Sequence, residues 1–258
     1  MSQHHISVIA HRGASGTAPE NTLAAIEQAI ADQADWVEID LRQTADNALV
    51  VLHDKSVKRT TNGRGKVNNM TLEQLRKLDA GSWFSPRFSE ERIPTLDEVL
   101  ETVKGRCKLL IEVKSDQKQL DVLAHNLALT IQRHQAHEWC VVQSFGSIVL
   151  EALSNLDDTL VLNKLAVYKH PSLPFVYDGS VQTKNLLKLD YLTAINLNYK
   201  YLTRRAIRSI HSKGKHIFCW TVNKPRAIRK LIRWGVDGII TDYPHRVREL
   251  LESNSTSR

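Results

Sequence analysis

The chain has 258 residues, of which 42% are hydrophobic, and its formal net charge is +7. This length and apolar content predict one domain over residues 1–258 with a single sizeable core. No apolar run approaches the ~18 residues of a membrane helix, and no signal-peptide pattern opens the chain. We therefore expect a cytoplasmic protein without stable membrane association.

Part of the positive charge lies between Lys224 and Arg233, where a nucleic-acid-binding surface is one interpretation. The basic residues there alternate with Ile228, Leu231 and Trp234 at helical spacing. This pattern indicates the solvated face of an amphipathic helix. We expect no nucleic-acid partner, although the net charge could help to attract an anionic substrate.

The cysteines are Cys107, Cys140 and Cys219. An odd number at wide spacing is not typical of a disulfide framework or a zinc site. We expect these thiols to be buried, reduced and inert, as in a cytoplasmic protein.

Apolar runs alternate with helical patterns along the chain. The predicted strands cover residues 6–10, 37–41, 108–113, 139–143, 159–163, 191–196, 216–221 and 238–241; the predicted helices cover 22–32, 117–134, 147–155, 203–213, 225–234 and 244–251. Strict alternation favours parallel strands, and eight of them favour an α/β TIM (β/α)8 barrel. A small insertion, about residues 55–102, follows the second strand and its hairpin, and the polar tail 253–258 is expected to be frayed.

The first predicted strand is followed directly by His11 and Arg12. A proton-transfer group beside a fixed cation suits chemistry on a phosphate. The alternative is a hydrogen-bonded structural histidine at a strand end. Matching chemistry at other strand ends would decide between the two interpretations.

Carboxylate side chains occur within the next predicted strands, close to their carboxyl ends. Glu38 and Asp40 are two residues apart in a strand, so their side chains lie on the same side, and Glu112 and Lys114 repeat this arrangement. Three carboxylates from two strands predict a site for Mg²⁺ or Ca²⁺. The alternative is a surface network in which each acid pairs with a nearby Lys or Arg.

A β-hairpin is predicted with its tip at Asp46 and Asn47. Residues whose numbers sum to 93 would then face each other, which places His53 opposite Asp40. A second histidine beside the acids would allow one to accept a proton while the other donates one. The alternative is a turn histidine that bonds to Asp54.

Aromatic side chains are candidates for substrate contacts. Trp83 and Phe84 would either line the pocket for the alcohol part of a substrate or pack the insertion onto the barrel. Trp220 ends the seventh strand, where it would contact a small polyol or belong to the core. Residues 62–65 favour a plain turn over a phosphate cradle, and Asp242 is predicted to cap the last helix.

Seven motifs occur in order along the chain. They are HRG with PENT, VEIDL, VVLHD followed by RTTNGRG, LLIEVK, QSF, CWTVN and GVDGIITDYP. Together, from about His4 to about Glu252, the chain resembles the glycerophosphodiester phosphodiesterase family, and it is most similar to the short bacterial cytosolic members. The region 168–182 matches no pattern of this family.

The resemblance implies a metal-dependent phosphodiesterase on a TIM barrel that converts glycerophosphodiesters to glycerol 3-phosphate and an alcohol. The matching positions are the catalytic histidines His11 and His53, the metal ligands Glu38, Asp40 and Glu112, the phosphate contacts Arg12 and Lys114, and the substrate contact Trp220. We expect His11 to be the general base and His53 the general acid, with water or the 2-hydroxyl of the glycerol as nucleophile.

Two other functions remain open at this point. A related enzyme could act on a lysophospholipid or sphingolipid head group in the manner of a lysophospholipase D. A non-catalytic binding barrel is the other possibility, although it has no evident use for two histidines and three acids at strand ends. The sequence does not determine the oligomeric state, the preferred alcohol or the choice between Mg²⁺ and Ca²⁺.

Overall fold

The computed structural model describes residues 5–114, 119–169, 175–176 and 189–256. The strands found within these residues are β1 (Ser7–His11), β2 (Trp36–Gln43), β3 (Leu49–Val51), β4 (Lys108–Val113), β5 (Cys140–Ser144), β6 (Val161–Ala166), β7 (Tyr168–Lys169), β8 (Phe175–Val176), β9 (Leu192–Asn198), β10 (His216–Trp220) and β11 (Gly238–Thr241). Strands β1, β2, β4, β5, β6, β9, β10 and β11 pair in parallel, and β1 pairs with both β2 and β11. The pairing closes an eight-stranded barrel, which confirms the predicted fold class.

Helices connect the strands on the outside of the barrel. Those in the described part of the chain are α1 (Leu23–Ala31), α2 (Leu72–Arg76), α3 (Leu96–Val103), α4 (Leu120–Arg133), α5 (Ser147–Leu156), α6 (Arg204–His211), α7 (Pro225–Trp234) and α8 (Pro244–Thr256), with short 3-10 turns at Val67–Asn69, Pro86–Phe88 and Tyr199–Tyr201. Helix α7 has the predicted amphipathic pattern, since Ile228 and Leu231 are buried while Arg229 and Lys230 are exposed. None of these helices is long and apolar enough to cross a membrane.

The last helix differs from the prediction. It extends to Thr256, so the first residues of the tail that was expected to be frayed are helical. The region 168–182 is described only where β7 and β8 pair antiparallel. Its other residues lie outside the described part of the chain.

The barrel interior is apolar at one end and polar at the other. An inner cluster contains Ile9, Leu110, Val141, Phe218 and Ile240. Because side chains alternate along a strand, the residue two positions further on also faces inward, nearer the carboxyl end. Those inward positions are His11, Glu112, Gln143, Trp220 and Asp242. On each of these strands, the inward-facing residue of the apolar core is therefore followed, two positions later, by an inward-facing residue at the polar mouth of the barrel.

The hairpin register is one residue different from the prediction. The pairs are Leu41 with Val51 and Gln43 with Leu49, so the paired residue numbers sum to 92 and Leu52, not His53, bonds to the Asp40 carbonyl. The cause is a three-residue loop instead of a two-residue tip: Asn47 has a φ of +63°, and the Thr44 side chain bonds the backbone on the far side of the loop.

The insertion between β3 and α3 has its own small core. Its residues Leu52, Val57, Val67, Leu75, Ala80 and Ile93 pack together with Val50 of β3. Capping boxes at Thr71 and Thr95 begin α2 and α3. The insertion contacts the loop after β1, because the Arg87 guanidinium donates to the Thr17 carbonyl at 3.1 Å. It therefore lies beside the mouth of the barrel.

The three cysteines are free thiols. Cys140 and Cys219 are buried, while Cys107 is only partly buried. Burial raises the pKa of Cys107 to about 11 and raises those of the other two thiols further. A thiol with a raised pKa is a poor nucleophile at neutral pH, which agrees with the expectation of inert cysteines.

Candidate active site

The predicted site residues meet at the carboxyl ends of neighbouring strands. His11 ends β1 and pairs in register with Glu38 of β2, while Asp40 of β2 pairs with Glu112 of β4. Lys114 directly follows β4. In (β/α)8 enzymes this face of the barrel carries the active site.

The three carboxylates form one buried cluster. Glu38, Asp40 and Glu112 are 1%, 0% and 8% exposed. One oxygen from each lies within 4.8 Å of the others. An all-carboxylate donor set of this kind suits a hard divalent cation such as Mg²⁺ or Ca²⁺.

Burial is the largest influence on the pKa values of this cluster. Burial and the neighbouring charge of Asp40 raise the pKa of Glu38 to about 7. Burial also raises the pKa of Glu112. The pKa of Asp40 is lowered, because Lys114 and Arg12 outweigh the effect of its burial. The raised pKa values of Glu38 and Glu112 show that the protein alone stabilises the ionised forms of these two acids poorly, and a divalent cation bound between them would stabilise those forms.

Lys114 contacts two of the acids. Its Nζ atom lies 2.6 Å from Asp40 Oδ1 and 2.5 Å from Glu112 Oε1. Glu38 is bound by neutral groups, since it accepts from the Arg12 backbone amide at 2.9 Å and from the Gln143 amide at 3.3 Å. Of the two acids whose pKa is raised, Glu38 is thus the one that Lys114 does not contact in these ion pairs.

Amide side chains that the sequence analysis did not single out support the cluster. Asn21 donates to Asp40 Oδ2 at 2.8 Å and accepts from the Asp40 backbone amide at 3.1 Å. It adopts a φ of +59°, a conformation that asparagine tolerates better than most residues. Asn196 donates to Gln143, which in turn donates to Glu38. Asn21 and Gln143 lie in the PENT and QSF motifs, which were the available signal.

His11 is held by a carboxylate from the last strand of the barrel. Its Nδ1 atom lies 2.6 Å from Asp242 Oδ1, and Asp242 also accepts from Ser15 at 3.1 Å and from Asn223 at 2.5 Å. The carboxylate of Asp242 therefore binds His11, and the predicted role as a helix cap is wrong. With the proton on Nδ1, the Nε2 atom of His11 is the nitrogen that can accept a proton.

The pKa values of the two histidines shift in opposite directions. Burial lowers the pKa of His11, but the Asp242 hydrogen bond and the charge of Glu38 raise it above its usual value. The pKa of His53 is lowered, chiefly by burial, even though the Asp40 charge opposes this.

His53 reaches the site by a different route from the one predicted. The antiparallel ladder ends at Val51, and Arg42 then fixes the chain by donating to the His53 carbonyl at 2.7 and 2.9 Å. The Nδ1 atom of His53 lies 2.6 Å from Asp54 Oδ1, the contact expected for a turn histidine. The residue before His53 bonds to one of the acids, since the Leu52 amide donates to the Asp40 carbonyl at 2.9 Å, so His53 is nevertheless near the acidic cluster.

Arg12 connects the acidic cluster to the loop after β1. Its Nε atom lies 3.1 Å from Asp40 Oδ2, and its Nη1 donates to Glu20 Oε1 at 2.8 Å. The backbone of Arg12 has a φ of +56°, which is uncommon for a residue with a side chain. This conformation allows both the backbone amide and the side chain of Arg12 to face the acids.

The aromatic candidates lie in two places. The indole of Trp220 donates to the Asn196 carbonyl at 3.0 Å and packs edge-to-face against Phe145, with the ring centres 5.6 Å apart. Trp83 is 41% exposed, and its indole donates to Ala80 within the insertion. Phe84 packs edge-to-face against Trp83 at 5.7 Å. Trp220 is thus at the barrel mouth, while Trp83 and Phe84 make these contacts inside the insertion.

Comparison with known proteins agrees with this geometry. The model of the glycerophosphoryl diester phosphodiesterase family matches residues 11–246. The chain belongs to this family. Glycerophosphodiester phosphodiesterases of Caldanaerobacter subterraneus and Bacillus subtilis are 34% and 33% identical to it, over 95% and 96% of this chain and 97% and 88% of theirs.

A solved phosphodiesterase of Oleispira antarctica has the same fold. Its TM-score is 0.85 at 27% identity, with 95% of this chain and 96% of that chain covered, and it was determined with its product sn-glycerol-3-phosphate. A glycerophosphodiester phosphodiesterase of Agrobacterium tumefaciens has a TM-score of 0.78 at 27% identity, with 94% and 98% covered. The chain is therefore a hydrolase of the glycerophosphodiester phosphodiesterase class.

Proposed function

We propose that the chain hydrolyses small glycerophosphodiesters to glycerol 3-phosphate and an alcohol in a metal-dependent reaction. The observation that carries this proposal is the meeting of two carboxylate-bound histidines and three buried carboxylates at the barrel mouth. The Oleispira antarctica phosphodiesterase, which binds sn-glycerol-3-phosphate, supports the choice of substrate class.

The metal ligands in this proposal are Glu38, Asp40 and Glu112. A divalent cation bound there supplies positive charge that stabilises the developing charge on the phosphoryl oxygens. Arg12 and Lys114 lie beside the same carboxylates and contribute further positive charge for binding the phosphate. Contacts with Asp40 fix the side chains of Arg12 and Lys114 before the substrate binds.

The two histidines divide the proton transfers. His11 accepts a proton from the nucleophile at Nε2, while Asp242 on Nδ1 stabilises the imidazolium that forms. His53 donates a proton to the leaving alcohol and is oriented by Asp54. The pKa directions of the metal-free site favour the opposite order, since the raised pKa belongs to His11 and the lowered one to His53. A change of leaving group separates these two orders, because only the general acid responds to the basicity of the departing alcohol.

The alcohol and glycerol parts of the substrate contact aromatic side chains in this proposal. Trp220 lies at the mouth with its ring held by Asn196 and Phe145, so it offers a fixed apolar face to a small polyol. We assign Trp83 and Phe84 to the outer end of the same substrate, and the contact of Arg87 in the insertion with the loop after β1 supports this assignment.

The test is turnover of glycerophosphocholine, followed by the release of glycerol 3-phosphate. We expect activity with Mg²⁺ or Ca²⁺, its loss in excess EDTA and its return when the cation is restored. Lysophosphatidylcholine, assayed in parallel, distinguishes the lysophospholipase D activity. Undiminished turnover in excess EDTA would remove the metal from the proposal, and turnover of the lysophospholipid alone would replace the substrate class.

A further inference from the structure

Arg59 of the insertion joins two carboxylates that belong to different parts of the site. Its Nη1 and Nη2 atoms donate to Glu20 at 2.7 and 2.8 Å. Its Nε and Nη2 atoms donate to Asp54 at 2.7 and 3.1 Å. One guanidinium therefore forms a two-point contact with each acid, which is the arrangement that fixes a planar cation most firmly.

Arg59 therefore makes two connections, which we call the Glu20 arm and the Asp54 arm. The Glu20 arm connects Arg59 through Glu20 to Arg12. Glu20 accepts from Arg12 Nη1 at 2.8 Å, and its side chain is only 12% exposed. Burial would raise the pKa of Glu20, but the hydrogen bonds from Arg59 and the charges of both arginines lower it. Glu20 is thus a partly buried anion held between two guanidinium groups, one of which lies against Asp40.

The Asp54 arm leads to His53. Asp54 Oδ1 lies 2.6 Å from His53 Nδ1 and also accepts from Arg59. The hydrogen bond from Arg59 is the main cause that holds the pKa of Asp54 well below its usual value. His53 has left the sheet ladder by this point, so Asp54 is the side chain that sets the direction of its ring.

We propose that Arg59 is a positioning residue that fixes His53 through Asp54 and Arg12 through Glu20. The inference rests on the proposed function for the catalytic roles of His53 and Arg12. It assigns Arg59 a positioning role, because four of its five N–H groups donate to the two acids. Loss of Arg59 would leave both arms without their common anchor.

The proposal predicts a geometric defect without loss of folding. Arg59 is 44% exposed, and exposed ion pairs contribute little to stability. A small misplacement of a catalytic group, in contrast, lowers the rate strongly. We expect Arg59→Ala to lower kcat/KM on glycerophosphocholine by roughly 10- to 100-fold with little change in Tm. Arg59→Lys should recover only part of the activity, because an ammonium cannot contact both acids through a planar fork.

Arg76 provides the matched control. It lies in the same insertion, is 40% exposed and donates to both oxygens of Glu98 at 2.6 and 2.9 Å. Arg76→Ala removes the same side chain and a similar two-point ion pair, but the acid of that pair belongs to the capping box of α3 instead of orienting a site residue. We expect near wild-type kinetics from this variant.

Variants of the two acids separate the arms. Glu20→Gln should mainly raise KM, because Arg12 binds the phosphate, whereas Asp54→Asn should mainly lower kcat, because His53 transfers the proton. In a His53→Ala background, Asp54→Asn should cause little further loss, since both changes remove the same function. Additive losses in that pair, or equal losses from Arg59→Ala and Arg76→Ala, would overturn the proposal.

A second readout does not depend on turnover. The ring-proton NMR signals of His53, identified by their absence from His53→Ala, should shift in Arg59→Ala and stay unchanged in Arg76→Ala. Unchanged His53 signals in Arg59→Ala would overturn the inference even in an active enzyme. An inactive wild type with shifted signals would instead contradict the proposed function and leave the contact between Arg59 and the Asp54 arm established.

Discussion

His11 and His53 are bound in the same way and supported in different ways. Each has Nδ1 at 2.6 Å from a carboxylate. The partner of His11, Asp242, follows the last strand of the barrel and is held by two neutral side chains. The partner of His53, Asp54, belongs to the insertion and is held by the exposed cation Arg59. The carboxylate partner of His11 thus belongs to the barrel, whereas that of His53 belongs to the insertion.

The difference has an electrostatic consequence. Burial lowers the pKa of His11, but the hydrogen bond with Asp242 and the charge of Glu38 outweigh it, so this pKa is raised. The pKa of His53 is lowered, chiefly by burial and also by the positive charges of Lys114 and Arg12, which the hydrogen bond to Asp54 does not offset. Neutral support makes a carboxylate a strong partner for imidazolium, whereas cationic support makes it chiefly an orienting group.

The largest expected effect on activity comes from changing the acidic cluster, which lies near both histidines. Glu112→Ala should lower kcat/KM on glycerophosphocholine by about 10³-fold or more, because in the proposed function the cation bound by Glu38, Asp40 and Glu112 is needed for both proton transfers. Its Tm in excess EDTA should remain close to that of the wild type. Isothermal titration with Mg²⁺ checks the cause, and wild-type affinity in this variant would remove Glu112 from the ligand set.

The next largest effect distinguishes the carboxylate partner of His11 from that of His53. We expect Asp242→Asn to lower kcat by about 10²-fold, because it removes the charge that stabilises imidazolium at His11. Asp54→Asn should cost about 10-fold, because it removes orientation more than charge. Steady-state kinetics of the two variants measure this ratio. Equal losses of kcat in the two variants would contradict the expected difference between Asp242 and Asp54.

The sequence predicted the parts of the site that depend on local periodicity. The spacing of Glu38 and Asp40 within one strand and the position of Glu112 in the next placed these acids on the inner face of the barrel mouth. The partnership of His11 with Asp242 depends on barrel closure across 231 positions, which no local pattern encodes. Arg59 stands at the start of the RTTNGRG motif, but its contacts with Glu20 and Asp54 depend on where the insertion folds back, which no local pattern encodes.

The hairpin shows a smaller limit of the same kind. The turn was recognised from Asp46 and Asn47, but its loop length was not, and an error of one residue reversed the expected facing of His53. His53 still lies near the acids because the ladder ends at Val51 and Arg42 holds the following backbone. The contact of Arg42 with the His53 carbonyl thus keeps His53 near the acids in a strand register different from the predicted one.

A smaller effect concerns stability and pH. The pKa of Glu38 rises from 4.5 to about 7 in the metal-free fold, so the folded protein binds this proton more tightly than the unfolded chain does. The associated stability is present below pH 4.5 and is lost as the pH rises to about 7, by a few kcal/mol at most. The lowered pKa of Asp40 acts in the opposite direction, but only below about pH 4.

Urea unfolding between about pH 5 and pH 7.5 checks this expectation. In EDTA, the stability of the wild type should fall with rising pH relative to Glu38→Gln, which removes the titrating group and leaves the histidines in place. Mg²⁺ should stabilise the wild type more at the higher pH, because the cation favours the ionised carboxylate. Greater stabilisation by Mg²⁺ at the lower pH would contradict the assignment.

The roles of the two histidines are tested most directly by changing the leaving group. A nitrophenolate departs with little protonation, whereas the alkoxide of choline requires a proton. We predict that His53→Ala loses roughly 10²-fold or more on glycerophosphocholine but much less on a glycerophosphoryl nitrophenol, while His11→Ala loses similar factors on both. The reverse pattern would exchange the two roles, and equal losses for both variants on both substrates would contradict the division of proton transfer between them.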